Sequence, residues 1–251
     1  WYLGKMPVAP EQGFKATEIQ LLSFARPHMR GFHFAWASFF CAFVCWFAFA
    51  PLMFFVKQDL DLNLSQVFTT NILSVAGTVM CRFAIGPLCD KIGPKICQFS
   101  LLSWIVVFTL LGMSVNSYWS LCVVRFFLGF GGAAFVVTQY WTTSLFANEI
   151  VGTANATTAG WGNLGGGVTQ MLMVAVYAFM TQTCGLGQED GWRLSFLVPA
   201  FITGVVALGI ITISDDSPRG DLTSVRRVDL PQTSRGGAAV ATWIVRGHES
   251  R

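Results

Sequence analysis

The chain has 251 residues, of which 53% are hydrophobic and only 12% charged, and its mean hydropathy is +0.56; together these exclude an ordinary soluble domain. The net charge of +3 comes without a basic patch interleaved with exposed aromatics, so no nucleic-acid surface is expected. The solvent of this chain is the lipid bilayer.

In chain order, residues 1–31 read as a polar cytoplasmic arm that opens on Trp1 rather than on a methionine, so an upstream segment and a secretory signal lie beyond what these residues show. Apolar stretches follow near 33–56, 67–89, 96–115, 118–141, 152–180 and 193–213, the fourth interrupted by Arg125. Each is long enough to cross about 30 Å of hydrocarbon at about 1.5 Å per residue. Six helices are predicted, because an open sheet cannot satisfy its backbone in lipid. The fold class is therefore all-α integral membrane, with a six-helix bundle over 32–214. Residues 215–251 are rich in Arg, Ser, Thr and Gly without a sustained apolar period, and 238–245 are too few to span, so a disordered polar tail is expected.

Basic residues set the orientation. Lys5, Lys15, Arg26 and Arg30 precede the first span, Lys91 and Lys95 follow the second, and Arg219, Arg226, Arg227 and Arg235 follow the sixth. The opposite loops hold Asp59, Asp61, Asn116, Gln188, Glu189 and Asp190, with Lys57 and Arg193 at span ends. By the excess of Lys and Arg on the cytoplasmic side, both termini are cytoplasmic and the protein is multi-pass, with the plasma membrane as its expected location.

Metal-binding and catalytic chemistry is sparse. Cys41, Cys45, Cys81, Cys89, Cys97, Cys122 and Cys184 lack metal-ligand spacing and read as packing residues. Asn63 opens a glycosylation sequon in a loop that hugs the membrane, which argues against its use. His28, His33 and His248 join no acid or thiol cluster, so neither a metal nor a catalytic triad is expected. No cofactor and no enzymatic activity are predicted.

Inside the second span, Asn71, Ser74, Thr78 and Arg82 share one helix face. Such a stripe implies a wet interior face. Arg82 lies about 10 Å along the helix from the following loop. It either snorkels to the interface or binds a small oxyanion through two parallel N–H···O bonds, a geometry a lysine cannot reproduce. With no Asp or Glu inside any predicted span, an anionic solute is the natural partner. In span four, Gly129, Gly132 and Ala133 suit close packing, while Phe135 could lay an aromatic face against a flat anion.

Span five contains Ala-Gly-Trp-Gly-Asn-Leu-Gly-Gly-Gly at residues 159–167. Asn155, Ala159, Gly162, Gly166 and Thr169 share a face, and Gly162-x-x-x-Gly166 is a close-packing pattern. Packing accounts less well for Asn163, whose amide needs a partner at that depth. The segment reads as one wall of a substrate site, with Asn163 facing the arginine of span two.

Between spans two and three, Gly86-x-x-x-Asp90-x-x-Gly93-x-Lys95 resembles the cytoplasmic loop signature of the major facilitator superfamily. There Asp90 could cap or pair with helix ends, Gly93 could make the tight turn and Lys95 could supply a cation near helix ends. Together with Phe-Ala-Arg-Pro-His-Met-Arg at 24–30, the Arg82 helix, Phe-Gly-Gly-Ala-Ala-Phe at 130–135 and above all 159–167, the chain resembles the nitrate/nitrite porter family, in its eukaryotic high-affinity nitrate branch. The likeness runs from about Phe24 to Gly220. It implies a carrier of nitrate or nitrite working by alternating access, with Arg82 as the substrate-binding arginine of helix two, Asn163 in the helix-five nitrate signature and Phe135 near the anion. It also implies proton coupling and, in some members, a single-span accessory protein.

Members of that family carry about twelve helices, whereas no second glycine-rich span follows Gly220 here. The expectation is the N-terminal six-helix half of a transporter, with a second half as partner and little activity alone. The alternative is a truncated, non-transporting protein that associates with full-length carriers. A channel of the aquaporin type would need paired Asn-Pro-Ala segments, which this sequence lacks. Asp90 and Glu149 sit at span ends, so these residues offer no evident proton carrier.

Overall fold

The computed structural model describes residues 6–219. The basal end carries residues 6–27 and 214–219, and the distal end the opposite loops.

Six helical segments are long and apolar enough to cross a membrane, at His28–Asp59, Leu64–Ile92, Pro94–Ser114, Tyr118–Leu145, Val151–Thr183 and Gln188–Ile213. Each predicted stretch falls in one of them, the third running one residue past Ser114. The first is built of α1 (His28–Phe47) and α2 (Phe49–Asp59), the second of α3 (Leu64–Ile92) and the third of α4 (Pro94–Leu111). The fourth joins α5 (Tyr118–Leu128) to α6 (Ala134–Leu145) through a 3₁₀ stretch, Gly129–Ala133. The fifth is α7 (Val151–Ala178) with a π-turn at Phe179–Thr183, and the sixth is α8 (Gln188–Ser195) and α9 (Leu197–Ile213). The sequon asparagine, Asn63, is the N-cap of α3: its Oδ1 accepts from the Gln66 amide while Gln66 Oε1 accepts from the Asn63 amide.

α1 runs through the centre, packed by α7, α6 and α9, while α3 lies against α5 and the 3₁₀ stretch, and α4 against α9. The core is aromatic, with Phe32, Phe39, Phe49, Trp141, Phe146, Trp192 and Phe196 fully buried. Cys184 is exposed and the other six cysteines are buried, as packing residues would be.

Both ends are clasped. Distally, Arg193 Nη1 meets Asp59 Oδ2 at 2.7 Å, Trp192 Nε1 donates to the same oxygen at 3.2 Å, and Arg193 Nη2 donates to the Val115 carbonyl at 3.1 Å. Three consecutive distal connections are thus tied by one guanidinium. Basally, Arg26 donates to both oxygens of Asp215 at 2.9 and 2.6 Å. Asp216 Oδ1 accepts from the Lys95 amide at 2.8 Å, placing a carboxylate on the orphan N–H groups at the start of α4.

The segment expected as a polar arm folds onto the bundle. Strands β1 (Val8–Ala9) and β2 (Lys15–Ala16) pair antiparallel. The Ala147 amide donates to the Ala16 carbonyl, Lys15 Nζ to the Thr143 carbonyl and Gln12 Nε2 to Glu149 Oε1. The first helix begins at His28, inside the expected arm, because His28 Nε2 meets the Phe14 carbonyl at 2.8 Å and anchors the turn. The disordered tail expected over 215–251 is corrected at its start, where Asp215 and Asp216 are buried and bonded to the bundle, and residues 220–251 lie outside the described residues.

Candidate functional site

The polar stripe of α3 is turned inward more than its spacing suggested. Asn71 Oδ1 accepts from Arg125 Nη2 at 2.6 Å, Ser74 Oγ accepts from Trp46 Nε1 at 2.8 Å, and the Thr78 hydroxyl donates to the Gly129 carbonyl. The wet face expected there is corrected at its middle: Ser74 and Thr78 are buried and bonded to α1 and the 3₁₀ stretch, where Thr78 ties helices together, whereas Asn71 and Arg82 are exposed.

What permits this is backbone contact without side chains between. A methyl group on Gly77 would overlap the Phe126 carbonyl oxygen, and one on Gly129 the Ser74 carbonyl oxygen. Where span four tightens to 3₁₀ winding, its carbonyls leave the regular α-helical ladder, and that of Gly132 turns toward α3.

Arg82, like Asn71 at the other end of the stripe, is exposed. Its Nε and Nη2 both donate to the Gly132 carbonyl, at 3.2 and 3.0 Å, and its guanidinium carbon lies 5.8 Å from the centre of the Phe135 ring. The carbonyl fixes the plane, and the ring supports a face. A guanidinium has five N–H groups, and among the described residues no carboxylate pairs with this one. α3 continues through Gly86 and Pro87 to Ile92, so Arg82 lies about 15 Å from the basal end of that helix, deeper than the spacing to the loop signature suggested.

Phe135 stands edge-on to Phe39 of α1, ring centres 5.7 Å apart. A methyl group on Gly162 of α7 would overlap that same Phe39 ring. Arg82, Phe135 and Gly162 are thus joined in one row, with Phe39 as the link that the sequence did not single out. The neighbouring glycines divide by face. Gly165 makes room for the Phe40 backbone, and a methyl group on Gly166 would come 3.2 Å from the Phe47 ring, whereas Gly160 and Gly167 meet open space. Gly165, absent from the predicted face, is the more deeply buried.

Asn163 is exposed, and its Nδ2 donates to the Ala159 carbonyl one turn back on its own helix at 2.8 Å. The expected facing of Asn163 and Arg82 is corrected to this extent: α7 packs on α1 and α6, α3 on α5 and the 3₁₀ stretch, and Phe39 and Phe135 stand between. Asn163 heads a different stripe. With Gly160, Gly167 and Gln170 it lies on the exposed side of span five, which is the least buried of the six and the lowest in mean hydropathy.

In the loop signature, Gly93 closes α3 at φ +85°, a conformation that favours glycine, and its amide donates to the Cys89 carbonyl. Lys95 is buried at the start of α4, and the carboxylate bonded to its backbone amide is Asp216. Asp90 is exposed and lies within hydrogen-bonding reach of Tyr140 on α6. A methyl group on Gly86 would meet nothing within 4 Å, so close packing does not require a glycine there.

Residues 35–243 match the Major Facilitator Superfamily. Over 239 residues the chain is 36% identical to the High affinity nitrate transporter 2.5 of Arabidopsis thaliana, covering 95% of this chain and 47% of that protein. It is 37% identical to the High-affinity nitrate transporter 2.3 of Oryza sativa subsp. japonica, over 92% of this chain and 45% of that one. Against the Nitrate/nitrite transporter NrtP of a Picosynechococcus strain, the figures are 33% identity, 69% and 33%. The chain thus spans about half the length of the curated relatives it matches. Six apolar crossings around a central α1, with the glycine-lined contacts of spans two, four and five, agree with that match, and the chain belongs to the major facilitator superfamily, as a multi-pass membrane protein similar to its high-affinity nitrate transporters.

Proposed function

We propose that this chain forms one six-helix half of a nitrate carrier, nitrite being the alternative cargo, which works by alternating access with a second six-helix half. One observation carries the reading: Arg82, deep in a span and exposed, has a neutral carbonyl and an aromatic ring for its neighbours. An uncompensated guanidinium at that depth is costly in lipid. A small flat anion is matched to it, because it accepts two parallel N–H bonds and brings the missing charge.

The second half packs on the exposed stripe of α7. The side-chain amides of Asn163 and Gln170 would be costly against hydrocarbon, and Gly160 and Gly167 let another helix approach closely. The basal end, with Lys15, Arg26, Arg30, Lys91 and Lys95, is cytoplasmic by the distribution of positive charge. The plasma membrane as location, proton coupling and an accessory membrane protein belong to this reading through the resemblance to the nitrate branch. Uptake of ¹⁵N-nitrate tests it, in cells lacking their own nitrate carriers that express the chain alone, or together with the C-terminal six-helix half of the Arabidopsis relative. The reading expects uptake from the pair and little from either half. Absence of uptake from a pair shown to be assembled in the membrane contradicts it.

A further inference from the structure

The basal end of α1 holds a hydrogen-bonded pair whose geometry permits only one protonation state. His33 Nε2 lies 2.9 Å from the Ser23 carbonyl oxygen, and Trp36 Nε1 lies 3.1 Å from His33 Nδ1. A carbonyl can only accept, so Nε2 carries a hydrogen. An indole N–H can only donate, so Nδ1 must present a lone pair. The imidazole is therefore neutral in this arrangement. A second proton would occupy the lone pair on which the Trp36 N–H rests and turn two donors toward each other.

The consequence reaches span five. Trp36 stands edge-on to Trp161 of α7, ring centres 5.1 Å apart, and Trp161 adjoins Gly162, which receives Phe39. His33 also lines a cleft of about 460 Å³ with Leu21, Leu22, Ser23 and Phe24, and Leu22 is almost fully exposed, so the imidazole is reached from the basal side.

The charged and titratable groups on the surrounding elements do not take over the lone pair. On α1, His28 turns to the Phe14 carbonyl, and Arg30 lies over the Phe24 ring, which itself stacks on His33. From the basal segments, Arg26 is paired with Asp215, and Asp216 is bonded at the start of α4. α7 carries no Asp, Glu, Lys, Arg or His.

We propose that His33 is a proton-operated switch. A proton transferred from hydronium to Nδ1 gives imidazolium and water, releases the Trp36 indole and loosens the Trp36–Trp161 contact between spans one and five. The carrier reading supplies only the source of the proton, the cytoplasm, and the test does not involve nitrate. The chain, in lipid nanodiscs with ¹⁵N in its indole and imidazole rings, is titrated from pH 8 to pH 5, the interval in which histidine changes charge. W36F and W161F assign the two indole resonances.

The expected result is that the His33 ring nitrogens and the indole signals of Trp36 and Trp161 shift with one midpoint. Both indoles should stay fixed in H33Q and titrate normally in H28Q. A His33 titration that leaves Trp36 or Trp161 unmoved overturns the proposal, as does an imidazole still neutral at pH 5 or an indole shift that persists in H33Q. Should H33Q fail to fold, the joint titration in the unaltered chain decides alone. Loss of nitrate uptake by the assembled carrier with this titration intact would count against the carrier reading and leave the switch standing.

Discussion

Arg82 donates twice to one acceptor, the carbonyl oxygen of Gly132, and this fixes the plane of a guanidinium that the resemblance assigns to an anion. The acceptor exists because span four changes winding over Gly129–Ala133 and because Gly132 lies flush against Thr78, where a methyl group would overlap the threonine side chain. Replacing Gly132 by Ala should therefore push α3 away from span four and unseat Arg82. The expected cost is about 1–3 kcal/mol, as for overpacked cores, read as a lower unfolding midpoint of the chain in detergent. An unchanged midpoint would show that the close contact is not required.

The glycines of span five should separate into two groups. Gly162→Ala and Gly165→Ala drive a methyl group into the Phe39 ring and the Phe40 backbone, and each should lower stability by about 1–3 kcal/mol. Gly160→Ala and Gly167→Ala meet nothing within 4 Å and should be neutral or stabilising by about 0.5–1 kcal/mol in the isolated chain, from the lower entropy cost of Ala in a helix. Midpoints measured for the four variants side by side check the division, and equal losses in all four would refute it.

At the distal end, the Asp59 side chain is 6% exposed and that of Arg193 21%. Asp59→Asn keeps the shape and removes the charge that holds Arg193. A loss of about 1–3 kcal/mol is expected, from a buried charge left without its partner. A double-mutant cycle with Arg193→Gln should recover a coupling of at least about 0.5 kcal/mol. Additive losses would mean that the clasp is not a unit.

The basal carboxylates should differ in effect. Asp216→Ala removes the acceptor at the start of α4, with an expected cost of about 1 kcal/mol as for a lost N-cap. Arg26→Ala should leave that cap in place, because its partner is Asp215, although it strips the partner from a carboxylate that is itself only 6% exposed. Protease accessibility of residues near Gly93 provides the readout, and it should rise in the Asp216 variant first.

The six crossings were legible because apolar length is a local property, read without knowing any neighbour. Arg82 and Phe135 were legible as well, since an arginine and a glycine run inside apolar spans stand out by type. Contacts were not. Thr78 and Asn71 looked like members of a wet face because helical spacing gives direction but not what lies in that direction, and here it was the backbone of Gly129 and the side chain of Arg125. Phe39 carried no signal in a span already rich in aromatics. Gly165 and Gly160 are alike in sequence yet opposite in surroundings, a distinction set by α1 rather than by α7. The two clasps join residues more than a hundred positions apart, Asp59 with Arg193 and Arg26 with Asp215, beyond any local pattern.

The most direct measurement is ¹⁵N-nitrate uptake by this chain co-expressed with a second six-helix half, comparing the unaltered chain with Arg82→Lys. A lysine keeps the positive charge but cannot hold the Gly132 carbonyl and two oxygens of an anion in one plane. The account predicts a fall in uptake of about tenfold or more at equal membrane abundance, the equivalent of a lost charge-assisted hydrogen bond. Uptake undiminished in Arg82→Lys would contradict it.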